Sequence, residues 1–263
     1  MANGSASLLI KHRGLLFRVT RNELASRYAG SLLGIGWAVL APLLLIFIYA
    51  VVYLVIFRVK VPGLSAASYV VYIFSGLIPF LATSEAISLG VPSVIANKAV
   101  LNNTVFPIDL APVKAVLLSQ VTMVVGMGTI LVGAIVTGTI AWTMLLVPLI
   151  WMLQVIALIG LNWILALLNV VFRDLQNLIT VILMLLMVVS PIAYTPDMVP
   201  PNLVVIILLN PFAYFVTAYQ STVVLGELPT IANLLALFVI AIGLFMLGNW
   251  MFSRAKRVVT DYV

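Results

Sequence analysis

Residues 28–57 read YAGSLLGIGWAVLAPLLLIFIYAVVYLVIF, and between Arg27 and Arg58 these thirty consecutive positions carry no charge. A hydrocarbon core of ~30 Å needs about 20 apolar residues per helical crossing. The run has no polar–apolar alternation, so it reads as a helix in lipid and not as a strand of a membrane barrel. Similar runs recur to the C-terminus. The fold class is therefore all-α, a polytopic membrane protein.

Composition supports this. Hydrophobic residues make up 64% of the chain and charged residues 8%, far below the roughly 25% charged of a soluble domain. The chain has no cysteine, which excludes a disulfide, a thiolate metal site and a cysteine nucleophile. His12 is the single histidine. The net charge of +6 sits beside apolar spans, so it reads as topology and not as nucleic-acid binding.

Six spans are expected: Gly34–Phe57, Tyr69–Val91, Ala115–Thr137, Thr143–Phe172, Leu178–Thr195 and Ile231–Phe252. The third and fourth come from dividing the uncharged stretch Ala115–Phe172, too long for one helix, at Gly138-Thr139, with Trp142 as an interfacial aromatic. With the N-terminus inside, Arg58 and Lys60 face out. The other eleven of 13 basic residues (Lys11, Arg13, Arg18, Arg21, Arg27, Lys98, Lys114, Arg173, Arg254, Lys256, Arg257) face in. That bias places both termini in the cytoplasm. The whole chain, 1–263, reads as one transmembrane domain: a cytoplasmic segment 1–33, the six-span bundle 34–252 and a tail 253–263.

Two segments do not fit the spanning pattern. Near the N-terminus, Leu8, Leu15, Leu16 and Val19 recur on one helical face, with Lys11, Arg18 and Arg21 on another. This predicts an amphipathic helix in the plane of the cytoplasmic interface, and no cleavable signal is expected. On the outer side, Leu203–Leu209 and Phe212–Leu225 are apolar but too short to cross, and Asn210-Pro211 separates them. Two short re-entrant helices are predicted, because broken backbone survives at membrane depth where protein buries it.

The chemistry is sparse. No lysine follows a glycine, so there is no phosphate-binding loop for ATP. Neither an aspartate cluster for a metal nor a serine, histidine and acid set is readable. Glu85 is the carboxylate placed clearly within a span, costly unless it faces a polar cavity or partner. Its neighbours Thr83, Ser84 and Ser88 are candidate hydrogen-bond partners. The inner loop Ser93–Pro107 reads as a short helix stopped by Pro107, and Arg173-Asp174 forms a second inner turn. Tyr49, Tyr53 and Phe57 stand at i, i+4 and i+8 on one face of the first span. Such a stripe is either helix packing or a surface on which sugar rings stack.

These landmarks also form an ordered set. Arg27-Tyr28-Ala29-Gly30-Ser31-Leu32-Leu33-Gly34-Ile35-Gly36-Trp37 with Pro42, then Asn97-Lys98 with Phe106-Pro107, then Phe172-Arg173-Asp174-Leu175, then Ser190-Pro191-Ile192 with Tyr194, then Asn210-Pro211, resembles the permeases of type-2 ABC exporters. The likeness is to those for lipid-linked polysaccharide such as O-antigen, with teichoic-acid and capsule exporters sharing parts of the pattern.

The resemblance implies a homodimer in the bacterial inner membrane with two copies of a cytoplasmic ABC ATPase. That partner holds ATP and Mg, and this chain has no cofactor of its own. Asn97, Lys98, Val100, Leu101, Phe106, Arg173 and Asp174 would meet the ATPase. Arg18, Arg21, Arg27, Tyr28, Tyr49, Tyr53, Phe57 and Glu85 would line the substrate entrance and channel for an undecaprenyl-pyrophosphate-linked glycan. A secondary transporter would show intramembrane charges and inverted repeats. An intramembrane glycosyl- or acyltransferase would show a catalytic or metal set.

Overall fold

The computed structural model describes residues 5–52, 56, 64–97 and 107–262, with side chains described to residue 255. Two helices open the chain, α1 (Ser5–Lys11) and α2 (Arg13–Arg27). The first span is α3 (Trp37–Val51), entered through a 3-10 turn over Gly34–Gly36. There follow α4 (Ala66–Gly90), a single turn α5 (Ser93–Ala96), α6 (Leu110–Thr137) and α7 (Val147–Val171). The remainder is α8 (Leu175–Val189), α9 (Val204–Leu209), α10 (Pro211–Gln220) and the long α11 (Ile231–Tyr262).

Among the described residues, five stretches are long and apolar enough to cross a membrane: Gly34–Val51, Ala66–Gly90, Leu110–Thr137, Trp142–Val171 and Ile231–Ala255. The expected fifth span, Leu178–Thr195, is a shorter helix, Leu175–Val189, of 15 residues. It stops because Ser190 is extended, with ψ 140, as the residue before Pro191 is biased to be. The two ends of the described chain lie together. Backbone N–H of Ser5 donates to Ser253 Oγ at 2.9 Å, and that of Ala6 to Asn249 Oδ1 at 2.9 Å. The start of α1 and the end of α11 thus share one end of the bundle. At the other end the Tyr69 hydroxyl, from the start of α4, donates to the Ala193 carbonyl at 2.7 Å. Helix α8 and the turn after it carry the chain between these ends.

The break between the third and fourth spans lies where turn chemistry puts it. Gly138 caps α6 at φ 70, a left-handed conformation, and Thr139 N–H donates back to Ala134 O at 3.0 Å. The third span begins earlier than Ala115, at Leu110, which draws Lys114 into the helix.

Helix α4 is the centre of the bundle, with 78% of its spanning window buried. Polar side chains tie this helix to its neighbours beside Pro79. Gln154 Nε2 donates to Pro79 O at 2.9 Å and to Thr83 Oγ1 at 2.8 Å, and Tyr219 OH donates to Gln154 Oε1 at 2.8 Å. Helices α7 and α11 cross closely through glycine. A Cβ on Gly160 would collide with the Leu244 backbone, and one on Gly248 with the Gly160 carbonyl. In lipid, such small-residue contacts are what lets helices approach and pack.

The two expected short helices are present as α9 and α10, joined at Asn210. Asn210 caps α10 by accepting from Phe212 N–H at 3.0 Å, and its Nδ2 donates to Ser190 Oγ at 2.8 Å. Gln220 Nε2 donates to both Pro191 O and Ile192 O at 3.0 Å. The irregular backbone after α8 is therefore satisfied by protein, the condition under which it survives in a bilayer.

Candidate functional site at the basic end

The N-terminal helices do not simply float beside the bundle. Leu16 is buried with Val94, Leu110, Val113, Trp163 and Phe252, and Leu9 packs on the same cluster. Lys11, Arg18 and Arg21 are exposed, as their spacing predicts, but Leu15 is exposed too. The apolar face has turned from the one read in sequence: α2 presents Leu16, Val19, Thr20 and Glu23 inward, toward a protein surface. That rotation brings Glu23 and Arg27 to the spans.

Glu23 reaches Lys114 at 2.5 Å, and the Lys114 side chain is only 7% exposed. Lys114 Nζ also donates to Asn97 Oδ1 at 2.9 Å. Arg27 lies 3.7 Å from Glu23 and 3.6 Å from Glu85. Thr122, on α6, donates to Glu85 Oε2 at 2.6 Å. A continuous polar chain thus runs from Asn97 through Lys114, Glu23, Arg27 and Glu85 to Thr122, across helices α2, α4 and α6.

Glu85 and Arg27 line a cleft of about 390 Å³ with Tyr28. Its other walls are apolar, from Leu24, Pro42, Leu45, Leu81 and Leu118 among others. Glu85 has therefore found a charged partner that spacing did not name. Its expected hydrogen-bond partners are corrected: Thr122 takes that role, while Thr83 is engaged by Gln154. A helix places residue 83 about 200° around from residue 85, on the opposite side.

Of the entrance set, Arg27, Tyr28 and Glu85 come together, whereas Arg18 and Arg21 lie exposed on other faces of α2. Tyr49 is partly buried, its hydroxyl donating to Met187 Sδ at 3.8 Å, so it bridges α3 and α8. Tyr53 and Phe57 lie outside the described residues. Of the docking set, Lys98, Val100, Leu101 and Phe106 also lie outside them. Asn97 is described, and its Nδ2 donates to Ser93 O at 2.6 Å. Arg173 lines a second cleft, of about 250 Å³, with Ile95, Ala96, Asn169 and Gln176. The connections that follow α4 and α7 are thereby neighbours, and Asp174 starts α8 as an exposed N-cap.

Three partners were missed in the sequence. Glu23 carried a signal, since a glutamate four residues before Arg27 is the favoured helical ion-pair order. Lys114 was read as a loop residue, and Thr122 is one hydroxyl within a long apolar run.

The described chain is thus a bundle of long apolar helices with a lead helix packed on its basic end, a broken pair of short helices and two adjoining turns. The chain belongs to the ABC-2 type transporter family, whose profile matches residues 14–224. Membership places it in a membrane and in association with an ABC ATPase. It is similar to two proteins named O-antigen export system permease protein RfbA. That of Myxococcus xanthus is 28% identical over 252 residues, 95% of each chain. One from Klebsiella pneumoniae is 30% identical over 245 residues, 92% of each chain.

Proposed function

We propose that the chain is the membrane subunit of an ATP-driven exporter that moves an undecaprenyl-pyrophosphate-linked O-antigen polysaccharide from the cytoplasm across the inner membrane. The observation that carries this reading is the likeness, over more than nine-tenths of both chains, to O-antigen export permeases. The cleft supports it chemically: an arginine, an aromatic ring and apolar walls suit an anionic head on a hydrocarbon tail.

Two copies would form the channel. Helix α8 buries only Leu183, and its exposed residues include the polar Gln176, Asn177 and Thr180. Helix α3 likewise exposes Leu44, Phe47 and Ile48. The apolar faces left open on α3 and α8 are free to pack against a second copy, with the polar residues at the start of α8 beside them. ATP and Mg are held by two copies of the partner ATPase, with the basic end of the bundle cytoplasmic. ATP closes the partners, Asn97–Val105 transmits the motion together with Arg173 and Asp174, and α3 and α8 part. The glycan then threads past Tyr49, Tyr53 and Phe57.

The test is purification with and without the partner ATPase, together with surface detection of the glycan in cells lacking the chain. The isolated chain is expected to hydrolyse no ATP, the complex to contain two copies of each subunit, and the surface glycan to disappear. ATP turnover by the chain alone, or undiminished surface glycan, refutes the reading.

A further inference from the structure

Along the polar chain at the basic end, every link is made at hydrogen-bond length except those of Arg27. Glu23–Lys114 is 2.5 Å, Lys114–Asn97 is 2.9 Å and Thr122–Glu85 is 2.6 Å. The Arg27 guanidinium stands 3.6 Å from Glu85 and 3.7 Å from Glu23, close to both carboxylates and in hydrogen-bond contact with neither. It is also the last residue of α2, and its side chain is 27% exposed in the cleft. Lys114 and Glu85 each hold a hydrogen bond, whereas Arg27 stands at longer range from both carboxylates.

We propose that Glu85 is a resident counter-ion that the diphosphate of the lipid-linked substrate displaces from Arg27. The proposal rests on the substrate class given above. An arginine left unpaired against apolar helices is costly, and a carboxylate at hand neutralises it while the cleft is free of substrate. The planar guanidinium matches phosphate oxygens in a two-pronged contact that a distant carboxylate does not provide. After the exchange Glu85 keeps the Thr122 hydroxyl and its access to water, its side chain being 32% exposed. The apolar walls beside the charge select an anion attached to hydrocarbon over a free anion.

The complex with its ATPase, in phosphatidylcholine nanodiscs, is titrated with a fluorescent short-chain polyprenyl diphosphate. Glu85→Gln removes the competing charge while its amide oxygen still accepts from Thr122, so the probe is expected to bind about tenfold tighter. Arg27→Gln is expected to weaken binding by about tenfold, and the double variant to bind as weakly as Arg27→Gln. Unchanged or weaker binding by Glu85→Gln, with the wild type binding the probe, overturns the exchange and leaves the substrate reading intact. Failure of the wild type to bind the probe overturns the substrate reading itself. Displacement of the probe by equimolar inorganic pyrophosphate overturns the lipid assignment, because the site would then read a free anion.

Discussion

Glu23→Gln isolates the buried end of the polar chain. The substitution keeps size and helix propensity but leaves Lys114, whose side chain is 7% exposed, with Asn97 as its remaining partner in that chain. Breaking a buried pair costs about 3–5 kcal/mol. Glu23 itself is 33% exposed, so water already screens one side of this pair, and about 1–3 kcal/mol is expected. The weaker contact with Arg27, one helical turn away, adds at most about 0.5 kcal/mol. Lys114→Met removes the buried charge and retains an apolar stem, so it should cost less, and adding it to Glu23→Gln should restore much of the loss. A cycle of the two single variants and the double, followed by SDS-titrated unfolding in mixed micelles, should give a coupling of about 1–2 kcal/mol. Additive effects, or a Glu23→Gln variant as stable as the wild type, would show that α2 is not held to the bundle through this pair.

Two further outcomes follow from the fold and the proposed docking. Asn210→Ala removes both the cap on α10 and the bond to Ser190 Oγ, and should destabilise the pair of short helices by about 1–2 kcal/mol, measured as earlier proteolysis within residues 190–211. Replacing Val100 and Leu101 together by Asp should abolish glycan export while the chain still inserts and melts as the wild type, because charge enters an apolar docking contact; normal export and normal recovery of the ATPase would refute that role.

Much of the architecture was legible because lipid imposes its rule locally. A long uncharged run must satisfy its backbone within itself, so helix and crossing follow from composition and length. Local chemistry likewise announced the turn at Gly138 and the break at Asn210-Pro211. The candidate site was legible only in part. Arg27, Tyr28 and Glu85 were named, but their meeting was not, and Glu23, Lys114 and Thr122 were not selected.

What the sequence by itself determined is the all-helical membrane class, the amphipathic lead helix, the positions of most breaks and the lack of a phosphate loop. Each depends on residues within one or two helical turns of each other, or on a count. What only the tertiary structure decided is which way α2 turns and whom Glu85 meets. The rotation of an amphipathic helix is set by the surface it lands on, here Val94, Leu110, Trp163 and Phe252, which all lie far from α2 in the chain. Partnership between charges on different helices depends on distances of a few ångströms, and apart from Glu23 and Arg27, four apart on α2, no spacing along the chain encodes it.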